Sequence, residues 1–189
     1  MFEYDQDITE QCKDEHRHKY TPLEQFEIAA AEFCREKHDK DPYTARGLTS
    51  IPQLKPDVKI RWLSALRGGK YKQGRRALRR DVGNVRRYCC IGVLGDIEEL
   101  GEWLHTREVS RFIDGKRQHV VVYTFDQSGR CSSYALHHAG LAAVFTREFG
   151  PSDDAEWYQN ARHCQGILTA ANDVGHTFEE IADFIEEWL

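Results

Sequence analysis

Two adjacent thiols, Cys89 and Cys90, follow the most basic stretch of the chain after a single tyrosine, Tyr88. Residues 59–87 contain eleven Lys and Arg and a single acidic residue, Asp81. Cations near a cysteine at a helix N-terminus stabilise its thiolate, which is the form that acts as a nucleophile. This combination indicates two hypotheses, a cysteine nucleophile or an anion-binding site.

The first hypothesis requires partners for the thiol. A cysteine hydrolase or transferase needs an oxyanion donor, a base and a group that orients the base. The sequence offers Gln73 as the donor, His119, His137 or His138 as the base, and Asp96, Asn172 or Asp173 as the orienting group. The order Gln, Cys, His resembles papain-like enzymes in residue types only. The competing interpretation is that both cysteines are small buried residues at a helix start, as free cysteines commonly are.

The second hypothesis rests on the glycine-broken, arginine-rich loop at residues 68–76. Arginine side chains and backbone amides freed by glycines together surround phosphate groups in many proteins, and Tyr71 would stack on a base. The predicted ligand-binding residues are Lys70, Tyr71, Gln73, Arg75, Arg79, Asp96, Asn172 and Asp173. In a second form of this hypothesis the arginines dock on an acidic host protein. A purely structural alternative pairs Arg79 with Asp96 or Asp173.

The charge is strongly polarised along the chain. The net charge is -5, yet residues 59–87 carry +10 and residues 151–189, with nine acidic residues and one arginine, carry -8. One interpretation pairs these two segments within the molecule, and the other assigns the basic block to a phosphate-bearing partner. Because the whole molecule is acidic, long-range repulsion disfavours binding to duplex nucleic acid.

A second constellation of ligand-type residues lies near the N-terminus. Cys12 with His16, and Cys34 with His38, are each spaced as on one face of a helix, and four such ligands can close a tetrahedral zinc site. A hairpin between the two pairs would leave Cys12 out of register with Cys34. Unrelated side chains are therefore favoured, and we predict no metal and no cofactor.

Composition and length bound the class of protein. The 189 residues, 40% apolar and 30% charged, fit one globular domain. No apolar run approaches the roughly 18 residues of a membrane span, and the acidic start is unlike a signal peptide. We expect a soluble cytoplasmic protein with no membrane partner. The six scattered cysteines are expected to be reduced.

Local patterns predict the elements that position these residues. Capping boxes at Thr21/Glu24 and Thr177/Glu180 begin helices over 21–40 and 177–189. Further helices are predicted from Pro56 to the Gly68-Gly69 pair and over 91–104, 139–149 and 155–172, with a linker at 41–55. Residues 70–78 are a short strand or extended loop, and residues 117–125 and 131–137 form a hairpin.

These elements predict an α+β fold. The predicted core domain, residues 56–189, has a small antiparallel sheet packed by helices in a single compact unit. Residues 1–55 form an N-terminal helical extension, either an adapter docked on the domain or an element of a homo-oligomer.

Several motifs carry a resemblance. They are Gly69-x-Tyr71-x-Gln73-Gly74-Arg75, Leu78-Arg79, Tyr88-Cys89-Cys90-Ile91-Gly92-Val93-Leu94-x-Asp96 and Asn172-Asp173-x-Gly175-x-Thr177-Phe178-x-Glu180-Ile181-Ala182. Over residues 57–189 the chain resembles a family of small tailed-bacteriophage proteins. It departs from the family pattern at Gly95, where Cys is common, at Arg76, where Gly is common, and at Ala171, where Leu is usual. The resemblance implies phage or prophage origin and supplies no activity, cofactor or catalytic residue.

Two functions follow as expectations. The preferred one is a phage accessory protein of the host cytoplasm that acts by binding. It would sequester a small phosphate-bearing, nucleotide-like ligand such as a host defence signal, or mask a host protein. The alternative is a hydrolase or transferase with Cys89 or Cys90 as the nucleophile.

Overall fold

The computed structural model of the protein describes residues 20–35, 48–113, 115–126 and 154–189. The helices are α1 (Pro22–Arg35), α2 (Pro56–Arg67), α3 (Cys90–Ile97), α4 (Asp154–Val174) and α5 (Phe178–Trp188). The strands are β1 (Arg79–Val82), β2 (Val85–Tyr88), β3 (Glu102–Ile113) and β4 (Lys116–Asp126). They form one antiparallel sheet in the order β2-β1-β4-β3. The predicted α+β class, with helices packed against a small antiparallel sheet, is confirmed.

The predicted helix starts are confirmed by their capping contacts. At α5, Thr177 Oγ1 accepts from the Glu180 amide at 3.2 Å, and the Glu180 carboxylate accepts from the Thr177 amide at 2.6 Å. Thr21 and Glu24 make the same reciprocal pair at α1. These contacts satisfy backbone donors that have no partner within the helix. Helix α2 likewise begins at Pro56 and stops before Gly68, as predicted.

The core lies between the helices. Trp62 of α2 is 1% exposed, and its indole Nε1 donates to the Cys90 carbonyl at 3.1 Å. The apolar stripe of α5 packs here, with Ile181 and Ile185 fully buried. Helix α1 contributes Phe26 to the same cluster, so this part of the N-terminal extension lies against the domain. Among the described residues, no helix is both long and apolar enough to cross a membrane.

The predicted helix over 91–104 is wrong in its second half. Helix α3 ends at Ile97, and Glu99 takes a left-handed conformation with φ of 49°. The chain then enters β3, which pairs with β4 from Glu102 to Ile113. The apolar residues at 100 and 104 fit a helical period, but hydrogen bonding along a long strand overrides that local preference.

The predicted strand over 117–125 is confirmed, but its hairpin partner is the preceding strand. Strand β4 pairs with β3 through a turn at Gly115, whose φ is 73°. On its other side β4 pairs with β1 over residues 120–123. The segments predicted as a strand over 131–137 and a helix over 139–149 lie outside the described residues.

Strands β1 and β2 were not predicted. They form a tight hairpin around Gly83-Asn84, with Arg79 opposite Tyr88 and Arg80 opposite Arg87. Four of their eight residues are arginines, so they lack the alternation of apolar and polar residues that marks a half-buried strand. The segment before them, residues 70–78, is an extended loop with one bridge from Gln73 to Tyr88.

Candidate functional site

The two faces of the sheet carry different chemistry. Residues opposite one another on antiparallel strands point to the same face, and successive residues alternate between faces. Arg80 and Val82 of β1 therefore share a face with their partners Arg87 and Val120. Arg79 and Asp81 point to the other face.

Arg79 is held by its own strand neighbour. Its guanidinium donates to both carboxylate oxygens of Asp81, at 3.0 and 2.7 Å, and the residue is only 8% exposed. The same group lies 4.2 Å from the ring centroid of Tyr123 and 5.4 Å from that of Trp103. The predicted pairing of Arg79 with Asp96 or Asp173 is wrong, because the acid of its own strand occupies the guanidinium. Arg79 therefore has a structural role.

Tyr71 and Asp96, two more predicted ligand residues, bond to each other. The Tyr71 hydroxyl donates to Asp96 Oδ2 at 2.8 Å, and Trp103 Nε1 donates to Oδ1 of the same carboxylate at 3.0 Å. Tyr71 is 9% exposed, and burial together with Asp96 raises the pKa of its hydroxyl. The ring packs edge-on against Tyr88 at 5.1 Å. The prediction that Tyr71 stacks on a base is therefore wrong, since the residue is largely buried and Lys70 Nζ lies over its ring, 5.2 Å from the centroid.

Three further predicted residues, Gln73, Asn172 and Asp173, meet between the loop and the α4–α5 turn. Gln73 Nε2 donates to Asn172 Oδ1 at 3.1 Å and to the His176 carbonyl at 2.6 Å. Asn172 Nδ2 donates to the Gly74 carbonyl at 2.9 Å. Asp173 Oδ1 accepts from the Arg76 amide at 2.7 Å. We call these three residues the clamp, because they join two motif blocks that are about one hundred residues apart.

The two thiols are buried. Cys89 is 2% exposed and its sulfur caps α3 by accepting from the Gly92 amide at 3.3 Å. Cys90 is fully buried and its sulfur donates to the Leu168 carbonyl at 3.3 Å. Burial raises the pKa of Cys89 to about 11 and raises the pKa of Cys90 well above its ordinary value. Both cysteines are therefore thiols near neutral pH, the opposite of what a nucleophile requires.

The residues expected to assist a cysteine nucleophile either make other contacts or lie outside the described residues. Both amide hydrogens of Gln73 are used in the clamp, which removes it as an oxyanion donor. His119 is exposed on β4, with Nε2 3.1 Å from the Glu108 carboxylate. His137 and His138 lie outside the described residues. The described residues thus give no support to catalysis at Cys89 or Cys90.

The face of the sheet that bears Arg80 differs from the face that bears Arg79, because no carboxylate pairs with its arginines among the described residues. Nε of Arg80 is buried and has no hydrogen-bond partner. Its neighbour across the strand pair is Arg87. Burial lowers the pKa of Arg80, and the charges of Arg87, Arg111 and Arg75 lower it further, whereas Asp173 opposes them. We call Arg75, Arg80, Arg87 and Arg111 the arginine cluster; none of them forms an ion pair with another described residue.

The clamp fixes the loop against the arginine cluster. A Cβ atom on Gly74 would lie 3.0 Å from the Cβ of Arg87, a tight contact, so glycine lets the loop pass close to β2 without displacing it. The Gly74 amide donates to the Tyr88 carbonyl at 2.7 Å. On the other side, a Cβ atom on Gly175 would lie 2.8 Å from Nη2 of Arg75, which places that guanidinium on the α4–α5 turn.

Of the cluster, only Arg75 was predicted as a ligand residue. Arg80, Arg87 and Arg111 were missed because their strands were not recognised. The available signal was the Gly83-Asn84 pair, which is typical of a two-residue hairpin turn and would have placed Arg80 opposite Arg87. Lys70 lies elsewhere, lining a groove of about 440 Å³ between α2 and α3 with Ile60, Arg61 and Ile97.

The zinc hypothesis rests mostly on residues outside the described part. Cys12, His16 and His38 lie there. Cys34 is fully buried in the core, with its sulfur 3.9 Å from the Ile167 carbonyl. Across the described ranges, no group of three or more His, Cys, Asp and Glu side chains is arranged to hold a metal ion.

Comparisons with known proteins yield one match. Residues 54–189 match the family described as a domain of unknown function, DUF8296. No curated protein and no solved structure matches the chain. The matched residues include the loop, the clamp and the whole arginine cluster. The chain therefore belongs to the DUF8296 family.

Proposed function

We propose that the protein acts by binding a small phosphate-bearing ligand in the arginine cluster. The observation that carries the proposal is the buried, unpartnered Nε of Arg80 beside Arg87. Like charges directly opposite each other on paired strands destabilise a sheet, and a buried donor without a partner costs roughly 1–3 kcal/mol. Phosphate oxygens would offset both penalties, because guanidinium groups bind phosphate through two parallel hydrogen bonds.

A small ligand fits these features better than a protein partner or a duplex. Docking an acidic host protein would use exposed cations, whereas the Arg80 Nε is buried. The net charge of -5 opposes attraction to duplex nucleic acid at long range. The cluster also has a buried apolar border, since Val82 and Val120 on the same face are 8% and 2% exposed. A low-dielectric border strengthens the attraction between arginine and phosphate.

The biological setting is part of the same proposal. The resemblance to tailed-bacteriophage proteins supports a phage accessory protein that works in the cytoplasm of the host. Binding without chemistry amounts to sequestration of the ligand. A nucleotide-like host defence signal is the ligand class that such a protein would remove, which makes counter-defence the proposed role.

The test is a search for the ligand itself. The purified protein is incubated with an extract of phage-infected cells, washed and denatured, and the released small molecules are identified by mass spectrometry. We expect a phosphate-bearing compound from the wild-type protein and from Arg117→Gln, but not from Arg80→Gln. Arg117 is a matched control because it is an exposed arginine of the same sheet, on the face opposite to the cluster.

The variants must be folded for this comparison to be valid. Circular dichroism and thermal unfolding of each variant check this before the extract is added. Repeated release of nothing from the folded wild-type protein would contradict the proposed function. If wild-type protein and Arg80→Gln release equal amounts of the compound, the ligand binds outside the arginine cluster.

A further inference from the structure

The arginine face has cations but no aromatic surface for a base. Among the described aromatic residues near the loop, Tyr71 and Tyr88 are 9% and 6% exposed. Tyr123 and Trp103 lie on the opposite face of the sheet, where they contact the guanidinium of Arg79. Proteins that bind nucleotides through their bases stack them on accessible aromatic rings. The described residues of this face thus offer contacts for phosphates and none of the stacking that a base uses.

The cations also extend beyond the reach of one phosphate group. Arg80 and Arg87 are direct partners, with Cβ atoms about 5 Å apart in such pairs. Arg107 stands in the same row, beyond Val122, and Arg111 lies four residues further along β3. At about 3.4 Å per residue, the backbone of Arg111 is roughly 14 Å from that row. A chain of phosphates can contact the Arg80–Arg87 pair at one end and extend towards Arg111 at the other.

The charge balance points the same way. The charges that act on Arg80 are those of three arginines, Arg87, Arg111 and Arg75, and of one carboxylate, Asp173. A single phosphate monoester carries about -1.5 to -2 at neutral pH, which leaves a surplus of positive charge. Two or three linked phosphates would neutralise the cluster.

We infer that the arginine cluster binds a chain of two or more phosphates and recognises the phosphates rather than the base. The inference rests on the proposed function and specifies its ligand class. Arg80 and Arg87 hold one phosphate, and Arg111 holds the distal one. Arg75, whose guanidinium lies beside Gly175 of the α4–α5 turn, closes the site from the loop side.

Isothermal titration calorimetry of the full chain tests this inference. The probes are inorganic phosphate, pyrophosphate, tripolyphosphate, ATP, GTP and adenosine, all at one salt concentration. We expect tripolyphosphate, ATP and GTP to bind within about threefold of one another, and inorganic phosphate to bind about 100-fold more weakly. Adenosine is expected to give no heat of binding.

Two variants separate the parts of the cluster. Arg80→Gln should weaken every phosphate ligand by at least about tenfold, because it removes a charge-assisted contact at the centre. Arg111→Gln should weaken tripolyphosphate by about tenfold and leave pyrophosphate nearly unchanged. Arg117→Gln, on the opposite face of β4, should change neither.

The outcomes distinguish the inference from the function on which it rests. A difference above about tenfold between ATP and GTP, or between either and tripolyphosphate, would overturn recognition by phosphates alone and leave the proposed function standing. The same holds if inorganic phosphate binds as tightly as tripolyphosphate. Absence of binding by every phosphate compound would overturn both.

Discussion

Arg76 takes a left-handed backbone conformation, with φ of 61°. Its amide donates to Asp173 at 2.7 Å, so the clamp holds the residue in this conformation. Glycine adopts such angles without steric cost, whereas other residues pay about 1–2 kcal/mol.

The left-handed conformation predicts different effects on stability for two substitutions at this position. Arg76→Gly should keep the unfolding free energy within about 1 kcal/mol of wild type, because relief of strain offsets the greater freedom of the unfolded chain. Arg76→Val should lose about 1–2 kcal/mol, since β-branched residues fit this region poorly. Urea unfolding monitored by tryptophan fluorescence measures both. If the two variants are equally stable, the left-handed backbone angle does not determine how a residue at position 76 affects stability.

The thiols of Cys89 and Cys90 provide a second prediction at the residue scale. Their pKa values are raised, so the thiolate population is small at neutral pH and grows only as the pH approaches about 11 for Cys89. In the unfolded chain the same thiol ionises near its ordinary value of 9.0. The stability that these buried thiols contribute is therefore present below pH 9.0 and is lost as the pH rises through about 11.

Labelling with iodoacetamide, followed by peptide mass spectrometry, checks the protonation state directly. We expect both cysteines to react slowly at pH 7 in the folded protein and quickly in denaturant. Rapid labelling of either one in the folded protein near pH 7 would restore the hypothesis of a cysteine nucleophile.

At the scale of elements, the clamp is the connection that organises the site. Asn172 is fully buried and exchanges hydrogen bonds with the side chain of Gln73 and the backbone of Gly74. Removal of one partner leaves buried donors and acceptors unsatisfied, at a cost of about 1–3 kcal/mol for each group. We expect Asn172→Ala to destabilise the protein by about 2–4 kcal/mol.

A double-mutant cycle tests whether the clamp acts as one unit. Gln73→Ala and Asn172→Ala should show a coupling energy of about 1 kcal/mol or more, because each breaks the same contact. Both single variants should also weaken phosphate binding, since the loop then no longer holds Arg75 against the turn. Additive effects on stability would indicate that the two residues act separately.

The elements also show how far the sequence could predict this fold. Helix starts at Thr21 and Thr177 were predictable because capping is local and involves residues three apart. The start at Pro56 was predictable because proline favours the first helical position. Strand β3 was not predictable, because its extended conformation depends on pairing with β4 rather than on the periodicity of its own residues. The clamp residues were predicted to lie together, but their roles were not. Sequence spacing cannot reveal that Gln73 and Asn172 bond to each other.

For the whole molecule, the basic block divides into two parts with different roles. Arg67 of α2 contacts Asp183 and Glu186 of α5, both at 2.6 Å, and Lys59 donates to the Glu186 carbonyl. This half of the block does pair with the acidic C-terminal segment. Elsewhere in the block, Arg79 pairs with Asp81, whereas Arg75, Arg80 and Arg87 of the arginine cluster form no ion pair with another described residue. Folding thus uses one group of cations and leaves the other for a ligand.

This division predicts opposite changes in stability and binding for two arginine variants. Arg67→Gln removes ion pairs that hold α2 to α5, so it should lower the thermal midpoint, less at high salt, and leave phosphate binding unchanged. Arg80→Gln removes a buried, unpartnered donor that faces a like charge, so it should raise the stability of the ligand-free protein by roughly 1 kcal/mol while weakening binding. Residues selected for binding commonly reduce stability in this way.

Thermal unfolding with and without tripolyphosphate measures both quantities in one experiment. A ligand that binds only the folded state raises the thermal midpoint, and the size of the shift reports the affinity. Wild-type protein and Arg67→Gln should show similar upward shifts, and Arg80→Gln a small one from a higher starting point. If Arg80→Gln instead lowers the midpoint of the ligand-free protein, Arg80 serves the fold, and the cluster loses the imbalance of charge from which its function is inferred.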